Sequence, residues 1–353
     1  MMVQMFEFQT QLESGKIRCD ICPRFCELND GQRGLCFVRQ NIDQNIVCTT
    51  YGKSSGFCID PIEKKPLYHY YPGSSILSFG TAGCNLTCKF CQNWDMSKAR
   101  MMDILQTEAS PEDIVVSAIN HQCRSVAFTY NDPVIFYEYA IDTAMACREE
   151  DINSVAITAG YINPEPAIEF FKAMDAVNID LKGFTEKFYH KLCGGSLQPV
   201  LELLLYLVNK TDTWVEITTL LIPGENDSEK EMRSQCEWIF ENLGPDIPLH
   251  LSAFHPDYKL MDIISTPLST LISAKEIAIN CGLNHVYLGN VNHNEGSNTL
   301  CHKCGSILIE RNGYNISKWS LDSGECKKCG TACPGNFNNS ADSWGNQFKK
   351  ITF

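Results

Sequence analysis

No apolar run in this 353-residue chain approaches the roughly 18–20 residues that a membrane span needs. The first residues, Met1 to Phe8, lack the cationic and apolar regions of an export signal. Both absences lead to the expectation of a cytoplasmic protein with no membrane partner. Positive charge is scarce too. With 29 Lys and Arg against 42 Asp and Glu, the net charge is −13. A nucleic-acid partner, which wants a basic stripe, is therefore not expected. There is no internal repeat and no glycine-rich phosphate loop of the P-loop or dinucleotide type, which removes common nucleotide-binding classes. Gly194-Gly195 reads as a turn or a flexible rim.

What is abundant is cysteine, 19 in all. In a secreted chain they would suggest disulfides, but eleven fall in three tight clusters with ligand-like spacing, which fits metal in a reducing compartment. The other eight, Cys48, Cys58, Cys123, Cys147, Cys193, Cys236, Cys281 and Cys333, stand singly in mostly apolar surroundings and read as inert buried thiols. At 44% hydrophobic residues the chain can bury a sizeable core.

The central cluster is Cys84-Asn85-Leu86-Thr87-Cys88-Lys89-Phe90-Cys91, after the apolar run Ser75 to Phe79 and the turn Gly80 to Gly83. A cubane iron–sulfur cluster takes one thiolate per iron, four in all. This loop supplies three, and no further cysteine follows before Cys123. One iron would be left open to chelate a substrate or cofactor, as the exchangeable position of a catalytic zinc does.

The N-terminal cluster is Cys19, Cys22 and Cys26, with Cys36 following in Gly31-Gln32-Arg33-Gly34-Leu35-Cys36. Four thiols make a closed site, and either zinc or a second [4Fe-4S] cluster satisfies the count. The C-terminal cluster is a pair of C-x2-C-G knuckles, Cys301/Cys304 and Cys326/Cys329. The strand-like runs Ile307 to Arg311 and Tyr314 to Lys318 flank Asn312-Gly313, which reads as a two-residue hairpin turn. Knuckle, hairpin, knuckle describes a zinc ribbon with a structural role. The tail from Pro334 is rich in Asn, Ser and Gly and is expected to be partly ordered, with Trp344, Phe348 and Phe353 as anchors.

From about residue 75 to 290, short β-branched runs alternate with amphipathic helices, the signature of βα units around a parallel sheet. Six core strands are expected, with a seventh at His285 to Gly289. Three parts follow: a Cys-rich extension over 1–70, an α/β partial barrel over 71–295, and a zinc-ribbon module with a polar tail over 296–353. In parallel barrels the active site forms at the carboxyl ends of the strands. Polar clusters stand there at Tyr130 to Pro133, Thr158 to Tyr161, Asp180 to Lys182, Leu221 to Asp227 and Phe254 to Tyr258.

C-x3-C-x2-C with Phe90 before the last cysteine resembles the cluster loop of radical S-adenosylmethionine (SAM) enzymes. The string Thr81 to Trp94 is similar to the version in activating enzymes related to that of pyruvate formate-lyase. More narrowly, Asp60 to His69, Asp180 to Phe184, Phe254 to Tyr258 and Gly289-Asn290-Val291 resemble the radical SAM member of the AmmeMemoRadiSam system, over residues 17 to 335. The resemblance implies a TIM-like partial (β/α)6 barrel with a [4Fe-4S] cluster on Cys84, Cys88 and Cys91. It also implies SAM as cofactor, reductive cleavage to a 5'-deoxyadenosyl radical, and a hydrogen-abstracting oxidoreductase. Asn131 and Asp132 would hold the SAM amino group. Asp180, Lys182 and His255 would bind its carboxylate and ribose, with Thr158 and Phe90 beside them. An electron donor such as a ferredoxin or flavodoxin is implied, and a protein substrate is in keeping with the activases. Relatives tend to have Glu where Asp132 stands, an amide at Ala159 and Arg at Ala253. Two readings stay open beside this one: an activase that installs a glycyl radical on a pyruvate formate-lyase-like partner, and an iron–sulfur and zinc protein serving as electron carrier or assembly module.

Overall fold

The computed structural model describes residues 7–99, 105 and 107–353. Its centre is a sheet of seven parallel strands: β1 (Ser75–Phe79), β2 (Ser125–Phe128), β3 (Asn153–Thr158), β4 (Ala176–Asp180), β5 (Trp214–Leu221), β6 (Leu249–Ala253) and β7 (Val286–Gly289). They pair in chain order. The six expected strands and the seventh are all present. Crossover helices connect them: α1 (Pro111–Asn120), α2 (Tyr137–Glu149), α3 (Pro164–Lys172), α4 (Gln198–Lys210), α5 (Glu229–Leu243) and α6 (Leu268–Asn280). The strands are buried along nearly their whole length, as a parallel sheet covered on both faces requires.

Local sequence sets where the helices begin. Ser110 accepts a hydrogen bond from the Asp113 N–H at 3.1 Å, and Asp113 returns one from the Ser110 N–H at 2.9 Å, with Pro111 at the first helical position. At α5, Ser228 caps the Glu231 N–H. Among the described residues no single helix is long and apolar enough to cross a membrane.

The sheet does not close, and its first edge is covered. Phe57–Pro61 pairs antiparallel with β1, and Lys349–Ile351 pairs antiparallel with Phe57–Pro61. The tail, expected to be partly ordered with Trp344, Phe348 and Phe353 as anchors, runs along this edge, with Phe353 against the Phe57 ring. Its Ile351 is buried, Asn336 bridges His69 and Tyr71 through backbone hydrogen bonds, and Trp344 donates to the Gly73 carbonyl. The hairpin of the C-terminal module also differs by one residue. Strands Ile307–Asn312 and Asn315–Trp319 pair Asn312 with Asn315, so the turn is Gly313-Tyr314. Gly313 has φ +60°, and a glycine at the first central position suits the mirror-image turns that hairpins prefer.

The string Asp60 to His69 is a set of buried electrostatic locks. Asp60 holds Lys64 at 2.8 Å and Lys65 at 2.7 Å. Glu63 accepts from the Gly73 N–H and lies 3.6 Å from Arg311 of the C-terminal module. Tyr68 and His69 donate their backbone N–H groups to Glu216 on β5, which also meets His250 at 2.6 Å. Burial would raise the Asp60 carboxyl, but Lys65 and Lys64 hold it at about 2 against the ordinary 3.8. A depressed carboxyl contributes stability that is whole above its ordinary value and lost as pH falls through the folded value. That contribution, about 2 kcal/mol, is expected to vanish between roughly pH 4 and pH 2. In urea titrations over this range, the stability gap between wild type and Asp60→Asn should narrow as pH falls. A constant gap would refute the assignment.

Candidate functional site

The cysteine loop follows β1 directly and is held down from three sides. The Asn131 side-chain oxygen accepts from the Thr81 N–H at 3.1 Å, and its amide donates to the Gly83 carbonyl at 2.8 Å. Thr87 and Lys89 donate their N–H groups to the carbonyls of Cys193 and Leu192, both at 2.9 Å, on the wide helical turn Tyr189–Cys193. Gly194 follows at φ +67°, and a Cβ there would sit 2.1 Å from the Thr87 hydroxyl, so the close approach requires glycine. Lys98 reaches back to the Leu86 carbonyl at 2.9 Å.

Cys84, Cys88 and Cys91 all line one open cleft of about 290 Å³ at the carboxyl ends of the strands. Phe90, Asn131, Asp132, Asp180 and Lys182 share its wall. Among the described residues that line it there is no fourth cysteine and no histidine. Cys193, read from sequence as inert, hydrogen-bonds the Cys88 thiol from outside the cleft. That bond, with Lys182 and Lys98, lowers the Cys88 pKa against the cost of burial, which favours the thiolate that a metal needs. Burial, with Asp132 adding to it, pushes Cys84 up to about 11. Cys91 lies 3.0 Å from the Ser97 hydroxyl.

The three thiols are not packed for a single ion. Among the described residues, groups of ligand atoms lying within 4.8 Å of one another occur at Cys301, Cys304, Cys326 and Cys329, at His69, His285 and Cys333, and at Asp246, His285 and His302. The loop cysteines form no such group, as expected where each sulfur serves a different iron. Three thiols facing a cavity with no fourth cysteine and no histidine among the described residues that line it fit a [4Fe-4S] cluster with an open corner. The C-terminal knuckles behave differently. Cys301 and Cys329 lie 3.6 Å apart and Cys304 and Cys326 3.8 Å. Zn–S bonds of about 2.3 Å in a tetrahedron place sulfurs roughly 3.8 Å apart.

The far wall carries paired charge. Asp180, at the end of β4, lies 2.8 Å from the Lys182 ammonium. Burial would depress Lys182, but Asp180 and then Cys88 hold its pKa well above the ordinary lysine value. Asp132 is buried and accepts from Val134 N–H at 3.2 Å, the Thr158 hydroxyl at 2.9 Å and Ala159 N–H at 3.1 Å. Desolvation nonetheless raises its pKa. Thr158 meets Asp132 rather than the cleft, and His255 is exposed beyond it, 3.1 Å from Gln92. Lys64, Gln92, Lys98 and Asn290 also line the cleft and were given no site role from sequence, although all but Lys98 lie in strings that carry the resemblance. Asn290 follows β7, so the strand-end rule could have found it.

Residues 79–236 match the Radical SAM superfamily. The chain is 43% identical over 327 residues to an uncharacterized protein of Methanocaldococcus jannaschii, covering 92% of this chain and 96% of that one. It is 25% identical to the pyruvate formate-lyase-activating enzyme of Clostridium pasteurianum, over 51% of this chain and 80% of the relative. In fold it is similar to a radical SAM methyltransferase from Sphaerobacter thermophilus, with a TM-score of 0.50, 14% identity, and coverage of 62% of this chain and 67% of that one. With the three-cysteine loop at the mouth of a parallel α/β sheet, these matches place the chain in the same family as the M. jannaschii protein, within the radical SAM superfamily.

Proposed function

We propose that this protein cleaves SAM reductively in the cleft and directs the resulting radical at a protein substrate, in the manner of the activating enzymes it resembles. The observation that carries this reading is the three-thiol wall facing a cation and two carboxylates across one cavity. A cluster held by Cys84, Cys88 and Cys91 would supply one electron to the SAM sulfonium, giving methionine and a 5'-deoxyadenosyl radical. The chain's own residues bind and orient. Asp132, buried and bonded to Thr158 and Ala159, would receive the ammonium of SAM, and Lys182 its carboxylate. Asn131 keeps both ends of its side-chain amide on the loop and so supports the site through the backbone of Thr81 and Gly83. His255 and Gln92 at the rim offer donors for the ribose. Phe90, packed on Phe188, and Leu86 exclude water.

A protein substrate is supported by the likeness to a pyruvate formate-lyase-activating enzyme and by the open mouth of the cleft. An electron carrier would need no such cleft. The narrower kinship with the AmmeMemoRadiSam enzymes rests on the strings named above, and a ferredoxin- or flavodoxin-class donor completes the reading. A single zinc on Cys301, Cys304, Cys326 and Cys329 is supported by their spacing.

The test is anaerobic reconstitution with iron and sulfide, reduction, and mass-spectrometric measurement of 5'-deoxyadenosine from SAM. An intact, reducible cluster that yields none would refute the reading. Within it, Lys182→Met should weaken SAM binding by roughly 10- to 100-fold, the equivalent of about 1.5–3 kcal/mol for a hydrogen bond to a charged group. The loss should appear in the SAM concentration that half-saturates the change in the cluster's EPR signal, with iron content unchanged.

A further inference from the structure

The N-terminal cysteines form a second built site, which the proposed reaction does not use. Strand Ile17–Cys19 ends at the first thiol, and the Cys19 N–H donates to the Cys26 carbonyl at 3.0 Å, so the segment returns on itself. Phe25, at φ +45°, makes the reversal, and Gly34 brings the chain back so that Cys36 faces the other three. Cys19, Cys22, Cys26 and Cys36 line one cavity, whose remaining walls include Ile21, Leu35, Val134 and Ile135. Apart from the exposed Leu35, these residues belong to or pack on the hydrophobic core that continues into the barrel.

Two observations say what this cavity takes. The first is spacing. The four C-terminal thiols lie within 4.8 Å of one another, the packing of a single tetrahedral ion, whereas no three of the N-terminal thiols do. Neither do Cys84, Cys88 and Cys91, and a polynuclear cluster with one thiolate per iron needs its sulfurs farther apart than a single ion does. The second is the charge of the wall. Arg24 and Arg39 both line the cavity; Arg24 spends its Nε on the Asn85 carbonyl at 2.8 Å and lies over the Tyr161 ring, with its Nη2 toward Gly194. Two guanidinium groups beside four thiols suit an anionic cluster.

We infer that Cys19, Cys22, Cys26 and Cys36 hold a second [4Fe-4S] cluster, fully ligated by the protein. With no open iron it binds no substrate, so its chemistry is the passage of single electrons. It is also built against the first site. The Cys36 carbonyl packs so closely on Gly83 that a Cβ there would lie 1.9 Å from it, and Arg24 grips Asn85, the residue after Cys84. A cluster held by Cys19, Cys22, Cys26 and Cys36 would accept one electron from a reduced flavin or iron–sulfur donor protein, which is thereby oxidised, and would pass it to a cluster on Cys84, Cys88 and Cys91 and return to its oxidised state, with no atom changing hands.

The test is metal and sulfide stoichiometry on the full chain, reconstituted anaerobically. Two clusters and one zinc predict about 8 iron, 8 acid-labile sulfide and 1 zinc per chain. About 4 iron with about 2 zinc would overturn the proposal. Because Cys22→Ala risks misfolding, the decisive variant is Cys84→Ala/Cys88→Ala/Cys91→Ala, which keeps all four N-terminal thiols and the backbone contacts of Gly83 and Asn85. It should keep about 4 iron and, when reduced, give an EPR signal that SAM does not perturb. A variant without iron would refute the second cluster. Loss of 5'-deoxyadenosine from the wild type would refute the SAM reading alone.

Discussion

Cys88→Ala is expected to abolish formation of 5'-deoxyadenosine, by at least about 10³-fold, or ~4 kcal/mol of barrier. Of the three loop thiols, Cys88 is the buried one whose anion the surroundings most favour, through Cys193, Lys182 and Lys98. With two thiolates left, one iron loses its anchor and a second corner opens, so the cluster is lost or disordered. The loop itself should survive, because Asn131, Lys98 and the Tyr189–Cys193 turn hold it by its backbone. Circular dichroism should therefore match wild type while product falls to background. Turnover near the wild-type rate would show that these sulfurs do not carry the reaction.

Cys304→Ala should do the reverse. The four knuckle thiols are spaced for one ion, and the hydrophobic cluster beneath them is small, with Leu308, Ile309 and Leu321 its buried non-cysteine members. Loss of a metal belongs to the few single changes that cost on the order of 4–5 kcal/mol or more. At about 2–4 °C per kcal/mol in a chain of this size, the thermal midpoint should fall by roughly 10 °C or more. SAM cleavage below the new midpoint should stay close to wild type, since the knuckles lie outside the cleft. The module is tied to the barrel by Arg311, which donates to the Tyr68 carbonyl at 2.8 Å, so part of the loss should reach the barrel. An unchanged midpoint would count against a structural metal there.

How much of this could be read from the chain alone depended on the range of the interactions. The three cysteine clusters are local, and their spacing showed before any geometry was known. The strand-to-helix alternation is local as well, so all seven strands could be placed. The use of Asn131 could not, because its partners Thr81 and Gly83 stand some fifty residues earlier and are backbone atoms. Asp60 to His69 stood out from sequence only by resemblance. It is a cluster of locks whose partners, Glu216 and Arg311, lie far along the chain. The turn at Gly313-Tyr314 shows a different limit. Asn-Gly is a strong turn signal, but pairing of the flanking strands, with Asn312 opposite Asn315, decided the register. The choice between one ion and a cluster needed the spread of the sulfurs in space, which ligand count does not contain.

The strand Lys349–Ile351 has a consequence for how the molecule is made. Its partner, Phe57–Pro61, leaves the ribosome before any of the barrel, and the covering strand emerges only after the barrel and the thiol module are complete. Throughout translation the nascent sheet carries a bare edge, open to pairing with another chain. Two lysines on the late strand discourage that encounter once it has docked; before then the edge has only its own Asp60 and Pro61. Chains truncated ahead of residue 349 should therefore aggregate as they are synthesised, even though every cluster ligand is present.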